Sequence, residues 1–168
     1  MISDSSIKWI ENLAEQEQLI CSGKLPALDI AKTRGEVLEV GTAVFLRQIK
    51  MQFAALVKLF NARMTEPSLG IQINSIPDRS DCFYLQRNGV KLNVTSNRPG
   101  FVQIQCEKNS SDTLSRASIL FSGVIEARFS NFEEVSWFFL ENPISAEQVS
   151  RYYLTEFLQS SRNTDRLS

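Results

Sequence analysis

The chain contains no histidine. That absence removes Ser-His-Asp and Cys-His nucleophile arrangements, the commonest general base, and most catalytic zinc sites. Glycine is scarce at seven residues, and the glycines nowhere assemble into G-x-x-x-x-G-K-[ST] or G-x-G-x-x-G. Neither standard nucleotide phosphate cradle is therefore present. The three cysteines, Cys21, Cys82 and Cys106, are odd in number and form no C-x-x-C pair. They indicate neither a disulfide framework nor a zinc site and read as reduced thiols. The longest apolar runs, around residues 44–46 and 137–140, fall far short of the roughly 20 residues that span a bilayer. Charge of one sign is missing too: 18 Lys and Arg against 19 Asp and Glu leave no net field to steer the chain toward nucleic acid or an anionic membrane. The start, Met1-Ile2-Ser3-Asp4-Ser5-Ser6, lacks the positive segment and apolar run of a secretory signal, so a cytoplasmic location is expected.

What is present is an ordinary globular composition, 43% hydrophobic, sufficient for a core without metal or disulfide support. Residues 1–160 are expected to form a single domain, with 161–168 as a frayed tail. Ile7, Ile10, Leu13, Ala14 and Ile20 at helical spacing predict a helix over about residues 5–21, with an acidic and amide-rich outer face from Glu11 to Gln18. Thr33-Arg34-Gly35-Glu36 matches a capping box and predicts a second helix from Arg34 to Met64, about 45 Å long. Leu38, Phe45, Ile49, Phe53, Leu56, Phe60 and Met64 share one arc of it, with Leu46 and Val57 at the edge, so that face is expected to be buried. Gly41 is its weak point, predicting a kink, a break or a close backbone contact.

After Pro67 and Gly70 the apolar period falls from about 3.6 to 2, the period of strands. Strands are expected over 71–76, 82–87, 90–95, 101–106 and within 116–129, with a sixth over 134–140. Asn88-Gly89 predicts a two-residue hairpin turn, Pro77 to Asp81 a longer turn, and Gly123 a bulge. Ser145-Ala146-Glu147-Gln148 is a second capping box, opening a helix whose Val149, Tyr152, Tyr153 and Phe157 share a face. The expected fold is α+β: N-terminal helices, one of them long and amphipathic, packed on one face of a five- or six-stranded antiparallel meander, then a C-terminal helix.

Three sets of residues compete for a functional role. Val40, Val44 and Met51 gather on a second side of the long helix, and Leu154 and Leu158 lie away from the tyrosine face of the last one. This apolar surplus implies burial or a protein partner, including a second copy of the chain. Arg47, Lys50, Lys58 and Arg63, in a stretch without acidic residues, are the candidate anion-binding set, although the strands lack the aromatic and basic stripe of common RNA-binding folds. Asp78 and Asp81 around Arg79, or Cys21, are what enzyme chemistry without histidine would use, but Asp and Ser are ordinary turn residues. Arg98 in Ser-Asn-Arg-Pro-Gly is likewise turn chemistry. The expected function is a non-enzymatic protein-interaction module, a homodimeric adaptor or chaperone-type protein. It needs no cofactor or metal, and nucleic-acid binding and enzyme activity are the alternatives.

Overall fold

A computed structural model describes residues 2–23, 30–109, 117–131 and 134–162, with only the backbone of 30–33. It shows an α+β protein in the order α1 (Asp4–Cys21), α2 (Ile30–Arg63), seven strands and α3 (Ala146–Ser160). Two compact units are distinguishable, residues 1–36 and 37–168. The first contains α1, capped by Ser3, whose hydroxyl accepts from the Ser6 amide.

The helix starts illustrate what a capping box can and cannot specify. At Ser145 the box forms as expected: the Gln148 amide donates to the Ser145 hydroxyl, and the Ser145 amide donates to the Gln148 side chain. At Thr33 the helix is already under way. The helix begins at Ile30, which places Thr33 inside it, because each further residue with helical dihedrals adds a backbone hydrogen bond at little cost once a nucleus exists. Gly41 neither breaks nor ends α2. A Cβ built there would meet only a Val135 methyl at 3.9 Å, so no close contact demands a glycine.

The strands are β1 (Gln72–Ile76), β2 (Arg79–Arg87), β3 (Val90–Thr95), β4 (Phe101–Lys108), β5 (Ser118–Phe129), β6 (Val135–Phe139) and β7 (Asn142–Pro143). They form one seven-stranded antiparallel meander in sequence order. The expected turn over Pro77 to Asp81 contracts to Pro77-Asp78, with Asp78 at φ 62°, so β2 starts three residues earlier than the apolar period indicated. Asn88 and Gly89 take positive φ in the hairpin turn, as that dipeptide predicts. The seventh strand follows a turn in which Leu140 and Glu141 both take positive φ. Neither is a usual residue for that conformation. A two-point ion pair from Arg128 to the Glu141 carboxylate, at 2.7 and 2.9 Å, braces the turn. The register shift in β4 and β5 lies at Cys106/Glu107, while Gly123 pairs regularly with Ile104; the bulge expected at Gly123 is absent.

One face of the sheet forms the core. Phe83, Leu85, Leu92, Ile104 and Ile125 point to it, and Phe45, Ile49, Phe53 and Val57 of α2 with Val149, Tyr153 and Phe157 of α3 complete it. Phe45 stacks on Trp137 with ring centroids 4.3 Å apart, and Phe53 meets Phe83 edge-on at 5.6 Å. Burial pushes the Tyr153 phenol up to about 12 and the Cys106 thiol up to about 11, with lesser contributions from Tyr152 and Glu107 respectively. Both groups fold in the protonated state, since the charged forms are disfavoured by desolvation. Their stabilising contribution is full below the unfolded values, 9.0 for the thiol and 10.0 for the phenol, and is lost as pH rises through the folded ones. We expect the urea midpoint to fall between about pH 9 and 12, more steeply in the wild type than in Tyr153→Phe. Equal slopes would show that the phenol is not held in its neutral form.

Candidate functional site

The α2 helix presents two apolar faces. Its inward face is core, with Leu46, Ile49 and Phe53 fully buried. On the opposite side Val40, Val44 and Met51 recur at close to whole turns of a 3.6-residue helix, and Leu59 lies roughly 80° further round. They are 64, 43, 66 and 67% exposed. Side chains of this size left that far in water form a stripe along the helix, in contrast to the single exposed apolar residues that any surface carries. Arg47 borders this face and Lys58, a whole number of turns from Val40, lies on it; both are also exposed.

The rest of the apolar set behaves differently. Leu154 is 8% exposed and Leu158 is partly buried against the core, so neither is available as outer surface. The expectation fails because α3 wedges a wide arc into the core, with Leu154 one position on from Tyr153. Tyr152, assigned to the buried side, is 49% exposed instead. Leu59, also exposed, was missed because it lies eight residues, roughly 80° past two full turns, beyond Met51. A second missed surface is α1: among its described residues none is buried, and Ile7, Trp9, Ile10 and Leu13 are all exposed.

The basic residues of α2 do not converge on one anion site. The Lys50 ammonium donates to the Ser75 hydroxyl at 2.7 Å and to the Ser80 carbonyl at 3.1 Å, tying α2 to the β1–β2 hairpin. Arg63 projects from a different side of the helix than Arg47 and Lys58, as its position five residues beyond Lys58 requires. Asn61, which helical spacing places on the same side as Arg47, Lys50 and Lys58, accepts from the Ile71 amide at 2.8 Å and donates to the Ile71 carbonyl at 2.9 Å. Thr42 does the same work nearer the other end, accepting from the buried Gly100 amide at 2.8 Å while donating to Leu38.

Among the described residues, the sheet face away from the core offers no bare aromatic platform. Lys91 lies over Tyr84 at 4.1 Å, Arg98 over Phe101 at 3.7 Å and Arg128 over Phe138 at 4.7 Å. These are cation–π contacts that occupy ring faces a nucleobase would need for stacking.

The residues proposed for enzyme chemistry lie on open surface. Asp78, Asp81 and Cys21 are exposed, and Arg79 between the two aspartates donates to the Ser96 carbonyl. Two open clefts of about 510 and 570 Å³ indent the second unit, and neither is lined by any of those three. The first holds Arg87, whose guanidinium donates to the Leu69 carbonyl and the Ser161 hydroxyl and lies over the Phe60 ring. Desolvation, then the nearby Arg162, lowers its pKa. It clamps the Pro67–Leu69 turn and the end of α3 to β2. The second cleft is lined by Phe45, Gln48, Ser136, Trp137 and the residues leading into α3, without a titratable side chain. Among the described residues no three acidic or cysteine side chains gather as metal ligands, and no helix is long and apolar enough to cross a membrane.

Comparison with protein-family models, with curated proteins and with solved structures finds no significant match.

Proposed function

We propose that this chain is a non-enzymatic protein-interaction module, of adaptor or chaperone type, that engages a protein partner through the outer stripe of α2. The observation that carries this reading is the exposure of Val40, Val44 and Met51 on the helix face opposite the core. Apolar side chains aligned over about three turns gain free energy when a partner removes them from water, at roughly 25 cal/mol per Å². The three free cysteines fit a reducing compartment, and a cytoplasmic location belongs to the same proposal.

The test is the double variant Val44→Glu/Met51→Glu used as bait beside the wild type. Because both side chains are exposed, the thermal midpoint should stay within a few degrees of the wild type. Partners recovered by the wild type should be lost. Recovery of the same partners in the same amounts would remove the stripe from consideration.

A further inference from the structure

We propose that strand β5 carries a second docking edge, occupied by β5 of another copy of this chain, the two strands pairing antiparallel about a two-fold axis and joining two sheets into one. This does not depend on the reading of α2 and uses a different part of residues 37–168.

The observation is a length of backbone left unpaired on one side. Strand β5 spans Ser118–Phe129, and β4 pairs with it as far as Glu126. On the other side β6 pairs only from Glu126 to Phe129. Among the described residues no strand lies beside 118–125 there. Backbone polar groups of successive residues point to alternate sides of a strand. The Ala127 amide donates to the Gly100 carbonyl, toward β4, and the Ser130 amide to the Glu134 carbonyl, toward β6. By the same alternation the groups of Ser122 and Val124 point away from β4, to the side that β6 leaves open. An edge of this kind is a template for another strand.

The outermost strands of the sheet carry features that blunt an edge, and this one does not. Strand β7 has two residues and ends in proline; β1 is mostly polar, with Ser75 held by the Lys50 ammonium. Residues 117–125 contain neither charge nor proline. The register shift at Cys106/Glu107 leaves both Ile119 and Leu120 in solvent, and with Val124 they are 62, 42 and 47% exposed. On the core side of the edge Phe139 lies against Gly123, and the exposed Tyr152 ring is 5.8 Å from Phe139. Unpaired backbone between apolar flanks is what strand addition uses.

A second copy fits this edge. With the axis at Phe121, residues 118–124 of one copy lie opposite the same seven of the other, about 24 Å of paired backbone at 3.4 Å per residue. No like charges meet within that length, so the match carries no repulsion. Leu120 comes diagonal to both Leu120 and Val124 of the other copy, within reach for apolar contact. The arrangement is isologous and closes at two copies, whereas β5 pairing on β1 of another copy would grow head to tail without closing.

Mass in solution, measured from about 1 to 100 µM, tests the proposal. The wild type is expected at twice the 19.0 kDa chain mass. Leu120→Lys/Val124→Lys sets like charges against each other across the axis. Ser122→Pro removes an N–H that faces away from β4, so it spares the β4–β5 ladder and strikes the intermolecular one. Both should be monomeric, with Kd raised about a hundredfold or more and far-ultraviolet circular dichroism unchanged. The proline separates backbone pairing from a contact made by side chains alone, and the lysine variant decides the matter if the proline chain does not fold. Val44→Glu/Met51→Glu should remain dimeric, which keeps this test distinct from that of the α2 stripe. A monomeric wild type, a dimer that survives Leu120→Lys/Val124→Lys, or a dimer broken by Val44→Glu/Met51→Glu alone overturns the proposal. So does a monomeric wild type whose captured partners are lost on Leu120→Lys/Val124→Lys, since the edge then receives a strand of another protein.

Discussion

Gly123→Ala is expected to destabilise the protein by about 3 kcal/mol, at the upper end of what overpacking a core costs. Elsewhere in a strand the same substitution is neutral or helpful, since glycine gives up more backbone freedom on folding than alanine by roughly 0.5–1 kcal/mol. Here the sign reverses. A Cβ on Gly123 would overlap the Tyr153 hydroxyl outright and press to 3.1 Å from the Phe139 ring. Tyr153 is 2% exposed and hemmed in by Phe121, Phe139 and Tyr152, so it has no open side toward which to retreat. Gly123 does not take positive φ, which leaves steric volume rather than backbone strain as the cause. In a Tyr153→Phe background the obstructing oxygen is gone, and the penalty of Gly123→Ala should shrink by about 1 kcal/mol or more, the coupling expected of residues in contact. Urea denaturation of the four chains of this double-mutant cycle measures both quantities. A loss below about 0.5 kcal/mol for the single variant, the range of an unremarkable surface change, would show that the sheet has slack at this point.

Asn61→Ala should cost about 2–3 kcal/mol, because it strips both the acceptor and the donor from the Ile71 backbone and leaves two buried polar groups unpaired. Ile71 is 3% exposed and immediately precedes β1. The Asn61 amide thus acts as a substitute strand for one residue, holding the end of α2 to the start of the sheet. Lys58→Ala, one turn away and also polar, is the control: its side chain is exposed, and its loss should change stability by less than about 0.5 kcal/mol. Similar effects for the two substitutions would return Asn61 to the solvated face that its sequence position suggests.

Legibility from sequence followed how local the determining physics was. The Asn88-Gly89 turn and the Ser145–Gln148 box are set within four residues, and both form. The core face of α2 was legible because 3.6-residue periodicity over some thirty positions averages out exceptions, and the outer stripe emerged from the same periodicity. What failed was decided across the chain. Gly123 reads as a bulge until Tyr153, thirty residues later in sequence, is found against it. Lys50 and Asn61 read as a basic and polar face until Ser75, Ser80 and Ile71 are found within hydrogen-bond reach. Strand β7 has two residues, too few for any period. The turn before it uses Leu140 and Glu141, which carry no turn signal, and it is braced by Arg128 from a neighbouring strand. For Leu154 and Leu158, the sequence showed which way they point on the helix but not how deep the helix sits.

Thr42 and Asn61 grip the sheet from positions 19 residues apart on α2, and the stripe occupies the span between and around them. Two such anchors forbid both rotation of α2 about its own axis and a one-turn slide along the sheet. The azimuth and height of Val44, Met51 and their neighbours are thereby settled before any encounter. A molecule docking there meets a preorganised ledge and forfeits little conformational entropy in the receiving helix, so more of the gain from dehydration survives as affinity.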